Sequence, residues 1–159
     1  MTIVKSYATR PPRNEEERTR SMDHIFISED EVEQYIDKIV AYTKINGYQY
    51  FTTTDILDKS DVYLIDPIGI ESLFQHVAGR YNFVFVYIST DPQIALERAK
   101  LRGDDLEVFQ KRRADENAQF DAYEKSQKWD LHIKNNTTIE DAVGCFETLL
   151  PKEEREKHD

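Results

Sequence analysis

The stretch that decides the fold runs from Phe83 to Leu101, FVFVYISTDPQIALERAKL. Its first seven residues are nearly continuous in Val, Ile, Tyr and Phe, which predicts a strand covered on both faces. Asp91 suits the cap of a following helix and Pro92 suits its first position, so a helix is predicted over Asp91–Leu101. A buried strand followed directly by a helix is the repeating unit of an α/β fold with a parallel sheet.

The same alternation extends in both directions from this unit. Three other apolar runs predict strands, and three other segments predict helices. The strands are Thr2–Ala8, Val62–Ile65 and Leu131–Ile133, and the helices are Ile68–Ala78, Asp104–Gln127 and Thr138–Leu150. Of these strands, Val62–Ile65 is also expected to be covered on both faces. The alternation predicts a parallel sheet flanked by helices.

The segment from His24 to Thr54 has a different pattern. Short strands are predicted at Ile25–Ile27, Ile39–Lys44 and Tyr48–Thr52, with a small helix over Glu29–Asp37. Asn46-Gly47 between two such strands is a strong signal for a tight hairpin turn. We therefore expect a small, mainly antiparallel insert, and we expect the polar, proline-led segment Pro11–Ser21 before it to be a loop.

Composition limits the class of protein. The 159 residues are the length of one domain, at roughly 100–200 residues per domain. Thirty-one acidic residues against 21 Lys and Arg give a net charge of −10, which argues against a general nucleic-acid binder. The single cysteine, Cys145, excludes an internal disulfide. No apolar run is long enough to span a membrane and Met1–Arg13 lacks a signal core, so a cytoplasmic location is expected, with Lys152–Asp159 as a flexible tail.

Two arginines at the end of the first predicted strand form the strongest candidate site. In SYATRPPR, Arg10 and Arg13 are held three residues apart by two prolines. The planar guanidinium pairs bidentately with phosphate or carboxylate, and the carboxyl ends of parallel strands are where α/β proteins bind ligands. The alternative is a solvated loop in which these arginines pair with the nearby glutamates, Glu15–Glu17.

Two further features each allow two interpretations. Asp66 ends an apolar strand at the ligand-binding edge, but it could equally cap the helix that follows. Arg102 precedes Gly103 at a helix junction, and Lys111–Arg113 lie on the long charged helix. Arginines on a mobile lid stabilise a phosphoryl group in transfer, whereas Arg112 with Glu116 also has the spacing of an ordinary ion pair along a helix.

Together, and in this order along the chain, these segments resemble the guanylate kinase family. The resemblance rests on SYATRPPR (6–13), DHIFIS (23–28), NGYQYFT (46–52), VYLIDPIG (62–69), LRG (101–103) and QKRR (110–113). It implies an α/β fold like that of the P-loop kinases, with residues 24–54 as the insert that binds the nucleoside monophosphate and residues 102–128 as a helical lid.

The resemblance also implies residue roles. The residues that match its phosphate site are Ser6, Arg10, Arg13, His24 and Tyr50, where His24 stands in place of a tyrosine. Thr52 and Asp66 match positions near the guanine base. Arg102 and Arg112 match catalytic lid arginines that contact the phosphates of ATP, and Asn135 lies near where the family approaches adenine.

The sequence departs from the family at three places. Ala41 stands where the family has the glutamate that reads guanine, which puts guanine specificity in question. Phe51 stands where the family prefers glycine. None of the five glycines is followed by Lys, so the chain has no G-x-x-x-x-G-K-[ST] loop and the pattern opens at the family's second strand. We therefore expect a sheet that lacks its first strand, and we assign no metal site.

Three functions are consistent with this pattern. The chain belongs to a kinase whose reading frame starts too late, and GMP or dGMP would receive phosphate from ATP-Mg once a P-loop is supplied upstream. Alternatively, it is a non-catalytic module that binds a phosphorylated ligand or phosphopeptide. In the third case, it is a kinase-derived subunit whose donor site and sheet are completed by a second copy or a partner chain. All three expect a phosphorylated ligand, which is a small nucleotide in the kinase cases, with neither nucleic acid nor membrane as partner.

Overall fold

A computed structural model describes residues 1–20 and 24–149, with the side chains of Glu16 and Arg20 left out. The chain divides into two compact units, Met1–Asn82 and Phe83–Asp159, and each is described by itself. The expected tail, Lys152–Asp159, lies outside the described residues, as do Asp23 and Leu150. Among the helices that are described, none has the length and apolar character needed to cross a membrane.

The first unit is built on a mixed four-stranded sheet. Its strands are β1 (Ser6–Ala8), β2 (His24–Phe26), β3 (Ile39–Ile45) and β4 (Tyr48–Thr53), and its helices are α1 (Glu15–Arg20), a 3-10 helix (Glu29–Lys38), α2 (Thr54–Leu57) and α3 (Pro67–Val77). The strand order is β2-β1-β4-β3. β1 runs parallel to β2 and antiparallel to β4, and β3 runs antiparallel to β4.

The predicted hairpin is confirmed. β3 and β4 are joined by Asn46 and Gly47, whose φ angles of 52° and 87° are both positive. Asn and Gly adopt this backbone most readily, and it matches the twist of the two strands. The insert is only partly antiparallel, however, because β2 pairs in parallel with β1 from outside the insert.

Strand register divides the side chains of this sheet between two faces, because residues directly opposite one another project to the same side. Ser6 pairs with His24, Ala8 pairs with both Phe26 and Tyr50, Thr43 pairs with Tyr50, and Ala41 pairs with Thr52. We call the side that carries these residues the Ser6 face. The opposite face carries Tyr7, Phe51 and Tyr42, paired across three adjacent strands.

An aromatic cluster packs on that opposite face. The Phe51 ring stacks on Tyr7, with centroids 5.0 Å apart, and lies 5.8 Å from Tyr35 of the 3-10 helix. Tyr7 and Tyr35 approach to 4.4 Å. Phe51 is fully buried, so this cluster anchors the 3-10 helix to the sheet.

The helix predicted after Val62–Ile65 is present as α3. Asp66 caps it, Pro67 fills its first turn, and Leu73 and Val77 are buried. The Oγ of Ser72 accepts the backbone N–H of Tyr42 at 3.1 Å, and α3 packs against β3. The helix therefore covers the outer edge of the hairpin.

Two strand predictions in this unit need correction. Within Val62–Ile65 only Val62 is paired, in a parallel bridge to Ile3, and the remaining three residues form no strand. The predicted strand Thr2–Ala8 is likewise interrupted: Ile3 forms the bridge, Lys5 is not in a strand, and β1 begins at Ser6. The predicted loop Pro11–Ser21 contains α1, because the Oδ1 of Asn14 accepts the backbone N–H of Glu17 at 2.7 Å and starts a helix there.

The second unit has the predicted alternation. It comprises β5 (Val86–Ser89), α4 (Pro92–Arg102), α5 (Leu106–Ser126), β6 (Leu131–Lys134) and α6 (Ile139–Glu147), and β5 pairs in parallel with β6. Gly103 ends α4 with a φ of 77°, where glycine is favoured. The expectation that Phe83–Ser89 is covered on both faces is wrong, because Ile88 is 53% exposed and Val84 is 62% exposed.

Two glycines in helices make a matched test of local packing. A Cβ on Gly69 of α3 would lie 2.7 Å from Cγ1 of Ile65, whereas a Cβ on Gly144 of α6 would meet nothing within 4 Å. We expect Gly144→Ala to stabilise the protein by about 0.5–1 kcal/mol, because alanine has the higher helix propensity. Gly69→Ala should instead destabilise it by about 1 kcal/mol, because the clash with Ile65 outweighs the same gain in helix propensity. Urea unfolding of both variants measures this, and equal stabilities would contradict it.

Candidate functional site

The Ser6 face brings together most of the sequence-predicted residues of the first unit. His24 and Tyr50 flank β1 on the neighbouring strands, with ring centroids 5.7 Å apart. Phe26 lies 6.0 Å from His24, two residues further along β2. Ser6 is buried opposite His24. The ends of β1, β2 and β4 thus form one aromatic and hydroxyl-bearing surface.

Arg10 follows β1 at the end of this surface and is only 8% exposed. Its guanidinium lies over the Phe26 ring at 5.1 Å, and Nη1 donates to the Pro11 carbonyl at 3.0 Å. The hydrogen bond to Glu17 raises the pKa of Arg10, and the charge of Glu17 acts in the same direction. Nε of Arg10 is buried without a hydrogen-bond partner among the residues described.

Glu17 of α1 is the anion that Arg10 holds. Nη1 and Nη2 of Arg10 donate to its two carboxylate oxygens at 2.9 and 2.5 Å, and the backbone N–H of Arg13 donates to Oε2 at 2.5 Å. The hydrogen bond from Arg10 lowers the pKa of Glu17 to about 2, and the Arg13 backbone adds to this. The loop therefore presents a guanidinium fork and a backbone N–H to one oxyanion, which is the donor set that phosphate also requires.

Ser6 contacts a tyrosine that sequence reasoning missed. Its hydroxyl donates to the Tyr63 hydroxyl at 3.5 Å. Burial raises the pKa of Tyr63 to about 12, and the charge of Asp66 adds to the effect, so this phenol stays neutral. Only its position in the apolar run next to Asp66 could have suggested it. Glu17 was visible in the sequence as one of three adjacent glutamates, with nothing local to single it out.

Asp66 acts as a helix cap. Its Oδ1 accepts the backbone N–H of Gly69 at 2.8 Å, which is the second of the two interpretations that its sequence position allowed. One carboxylate oxygen is thereby committed to α3. The same aspartate lies close enough to Tyr63 to act on its pKa.

The hairpin positions assigned to the base carry hydroxyls and no carboxylate. Thr52 is fully buried beside Ala41, and the side-chain oxygens of Thr52 and Thr43 have no hydrogen-bond partner among the described residues. Buried hydroxyls without a partner are uncommon in folded proteins. Thr52 is among the candidate residues that the sequence identifies, and Thr43 is not.

The residues expected to handle the donor belong to the second unit. Arg102 pairs with Asp104 at 2.6 Å, and Arg112 pairs with Glu116 at 2.8 Å one helical turn away. Both arginines are largely exposed, as in a solvated helix face. The backbone carbonyl of Asn135 accepts Nη1 of Arg98 at 2.8 Å, while its Oδ1 is buried without a partner in the described part of the chain. Within the described part of the chain, no group of three or more His, Cys, Asp or Glu side chains is placed to hold a metal ion.

Comparison with known proteins identifies the family of this chain. The family model described as guanylate kinase matches residues 1–153. Among solved structures, guanylate kinase from Anaplasma phagocytophilum has a similar fold, with a TM-score of 0.59 and 20% sequence identity over 92% of this chain and 73% of that one. No curated protein matched the sequence. Since the family match spans nearly all of the chain, the protein belongs to the guanylate kinase family.

Proposed function

We propose that this chain binds a nucleoside monophosphate, GMP or dGMP, through the phosphate group. Ser6, Arg10, Arg13 and Tyr50 would hold the phosphate, with His24 beside Tyr50. One observation carries the proposal. The Arg10 guanidinium and the Arg13 backbone N–H, near Tyr50, already bind an oxyanion, the carboxylate of Glu17. Phosphate oxygens accept hydrogen bonds from the same donors as carboxylate oxygens do, and a phosphate carries more negative charge.

The base would lie toward Thr52 and Asp66. Thr52 faces the same side of the sheet as Tyr50, so the hairpin hydroxyl and the phosphate donors lie on one face. Ala41 offers no acceptor to the N–H groups of guanine. Discrimination between GMP and other monophosphates should therefore be weaker than in a site with a carboxylate there.

Phosphoryl transfer from ATP-Mg is proposed only where a phosphate-binding loop is supplied, either upstream or by a partner chain. In P-loop kinases, a glycine-rich loop ending in Gly-Lys supplies the backbone N–H groups and the lysine that bind the donor phosphates. The sequence contains no such loop. With the donor in place, Arg102 and Arg112 would exchange their present carboxylate partners for its phosphates, and Asn135 would lie near adenine. The chemistry supplied by ATP-Mg is transfer of the terminal phosphoryl group.

Titration calorimetry with GMP, guanosine and a phosphoserine peptide tests the proposal. We expect GMP to bind and guanosine, which lacks the phosphate, to bind at least about 100-fold more weakly. Arg13→Ala should weaken GMP binding about tenfold, because a charge-assisted contact to phosphate is lost from an exposed residue that the fold does not need. Arg18→Ala, an exposed arginine on α1 paired only loosely with Glu15, is the matched control and should bind like the native protein.

The outcomes separate the alternatives. Equal binding of GMP and guanosine would show that the phosphate is not what the site holds. Tighter binding of the phosphoserine peptide than of GMP would instead favour a module that recognises phosphorylated protein. If Arg18→Ala loses as much affinity for GMP as Arg13→Ala does, the ligand is held by general electrostatic attraction and not by a specific contact with Arg13.

A further inference from the structure

Most of the donors on the Arg10 guanidinium are already engaged within the chain. It carries five N–H donors. Two go to Glu17 and one goes to the Pro11 carbonyl. Of the two that remain, the N–H of Nε is buried with no acceptor among the described residues, and the other is on Nη2, the nitrogen that already pairs with Glu17. A phosphate arriving at this arginine finds its bidentate edge already occupied.

Glu17 also neutralises the site that the ligand would enter. Its carboxylate takes both the guanidinium fork and the Arg13 N–H, which are the two groups a phosphate would bind. If Glu17 stays in place, a phosphate must sit beside a second anion at close range, which is unfavourable. If Glu17 leaves, its ion pair with Arg10 must first be broken. In both cases this carboxylate opposes the ligand.

The element that carries Glu17 is built so that it can move. α1 has six residues, and a helix this short has little stability of its own. Among the described contacts, the Asn14 cap on the Glu17 N–H and the contacts of the Glu17 carboxylate hold it in place, whereas the ion pair of Arg18 with Glu15 at 3.8 Å joins two exposed side chains of the helix itself and contributes little. Its other described side chains, those of Glu15, Arg18 and Thr19, are exposed. Release of Glu17 would therefore disturb little of the core.

We propose that Glu17 is an autoinhibitory contact: an anion of the chain that occupies the phosphate site and must swing out with α1 before a phosphorylated ligand binds. The proposal rests on the proposed function for the location of the phosphate. Apparent affinity for the ligand is then the intrinsic affinity reduced by the fraction of molecules in which Glu17 is released. Whatever draws α1 away from Arg10 would open the site.

The test is Glu17→Gln with Glu15→Gln as its matched control. Both variants remove one negative charge from α1, but only Glu17 touches Arg10. We expect Glu17→Gln to bind GMP about tenfold more tightly than the native chain by calorimetry, while its melting temperature without ligand falls because a buried ion pair is lost. Glu15→Gln should match the native chain within about twofold in affinity.

A second variant keeps Glu17 and loosens only its helix. Asn14→Ala removes the cap from the Glu17 N–H and should tighten GMP binding about threefold, since α1 is released more easily. Unchanged or weaker binding in folded Glu17→Gln would overturn the proposal and make Glu17 a residue that positions Arg10. If that variant fails to fold, unchanged or weaker binding in Asn14→Ala overturns it equally. If neither the native chain nor any variant binds GMP, it is the proposed function that fails.

Discussion

Replacing Arg10 with alanine is expected to abolish GMP binding and to lower the free energy of unfolding by about 3 kcal/mol. Arg10 is buried against Phe26, and its fork satisfies the Glu17 carboxylate and the Pro11 carbonyl. Removing one partner of a buried ion pair leaves the other charge uncompensated, which is why such changes cost about 3–5 kcal/mol. The low end applies here because Glu17 is partly solvated.

Urea unfolding and GMP titration measure the two effects separately. Arg18→Ala serves as the control for loss of an arginine in the same segment, and its side chain is 67% exposed, so we expect a change below about 0.5 kcal/mol. Arg10→Lys keeps the charge but loses the planar fork and the stacking on Phe26, so it should fall between native and alanine. An Arg10→Ala protein as stable as Arg18→Ala would show that the ion pair with Glu17 contributes nothing.

Pairing the two substitutions isolates the contact itself. The double variant Arg10→Ala, Glu17→Gln should be less destabilised than the sum of the single variants, because neither charge is then left alone. This non-additivity is what distinguishes a specific ion pair from two residues that happen to be important for separate reasons.

The parts of the fold that sequence predicted are those set by local chemistry. Helix α4 begins at Asp91-Pro92 and ends at Gly103, and the hairpin turns at Asn46-Gly47. Each of these residue types has a backbone preference that needs no distant partner. The parallel pairing of β5 with β6 was also expected, since a helical connection between two strands favours it.

The parts that sequence did not predict depend on distant partners. Val62–Ile65 has a strand-like composition, yet only Val62 pairs, because strand formation also needs a neighbour with free backbone groups. α1 forms in a polar, proline-led segment because Asn14 caps it and Glu17 reaches Arg10 seven residues earlier. Three consecutive glutamates could have paired with Arg10, and only the path of the loop selects Glu17.

Phe51 shows how a departure from a family pattern can be structural. The resemblance places glycine at this position, where this chain has an aromatic side chain. The structure places Phe51 on the face opposite Tyr50, where it stacks on Tyr7 and contacts Tyr35. The substitution therefore leaves the Ser6 face intact and adds a core to the insert.

Phe51→Ala is expected to lower the free energy of unfolding by about 3–5 kcal/mol, the range for removing a fully buried phenylalanine. Phe51 is 1% exposed, and it joins β1 to the 3-10 helix through two ring contacts that alanine cannot make. Phe74→Ala makes the same chemical change on α3 at a position 42% exposed and should cost less than half as much. Urea unfolding followed by tyrosine fluorescence measures both. Equal losses in the two variants would show that the cluster of Tyr7, Tyr35 and Phe51 is not what holds the insert together. The expected difference would instead identify Phe51 as the residue that anchors the sheet on which we place the proposed phosphate site.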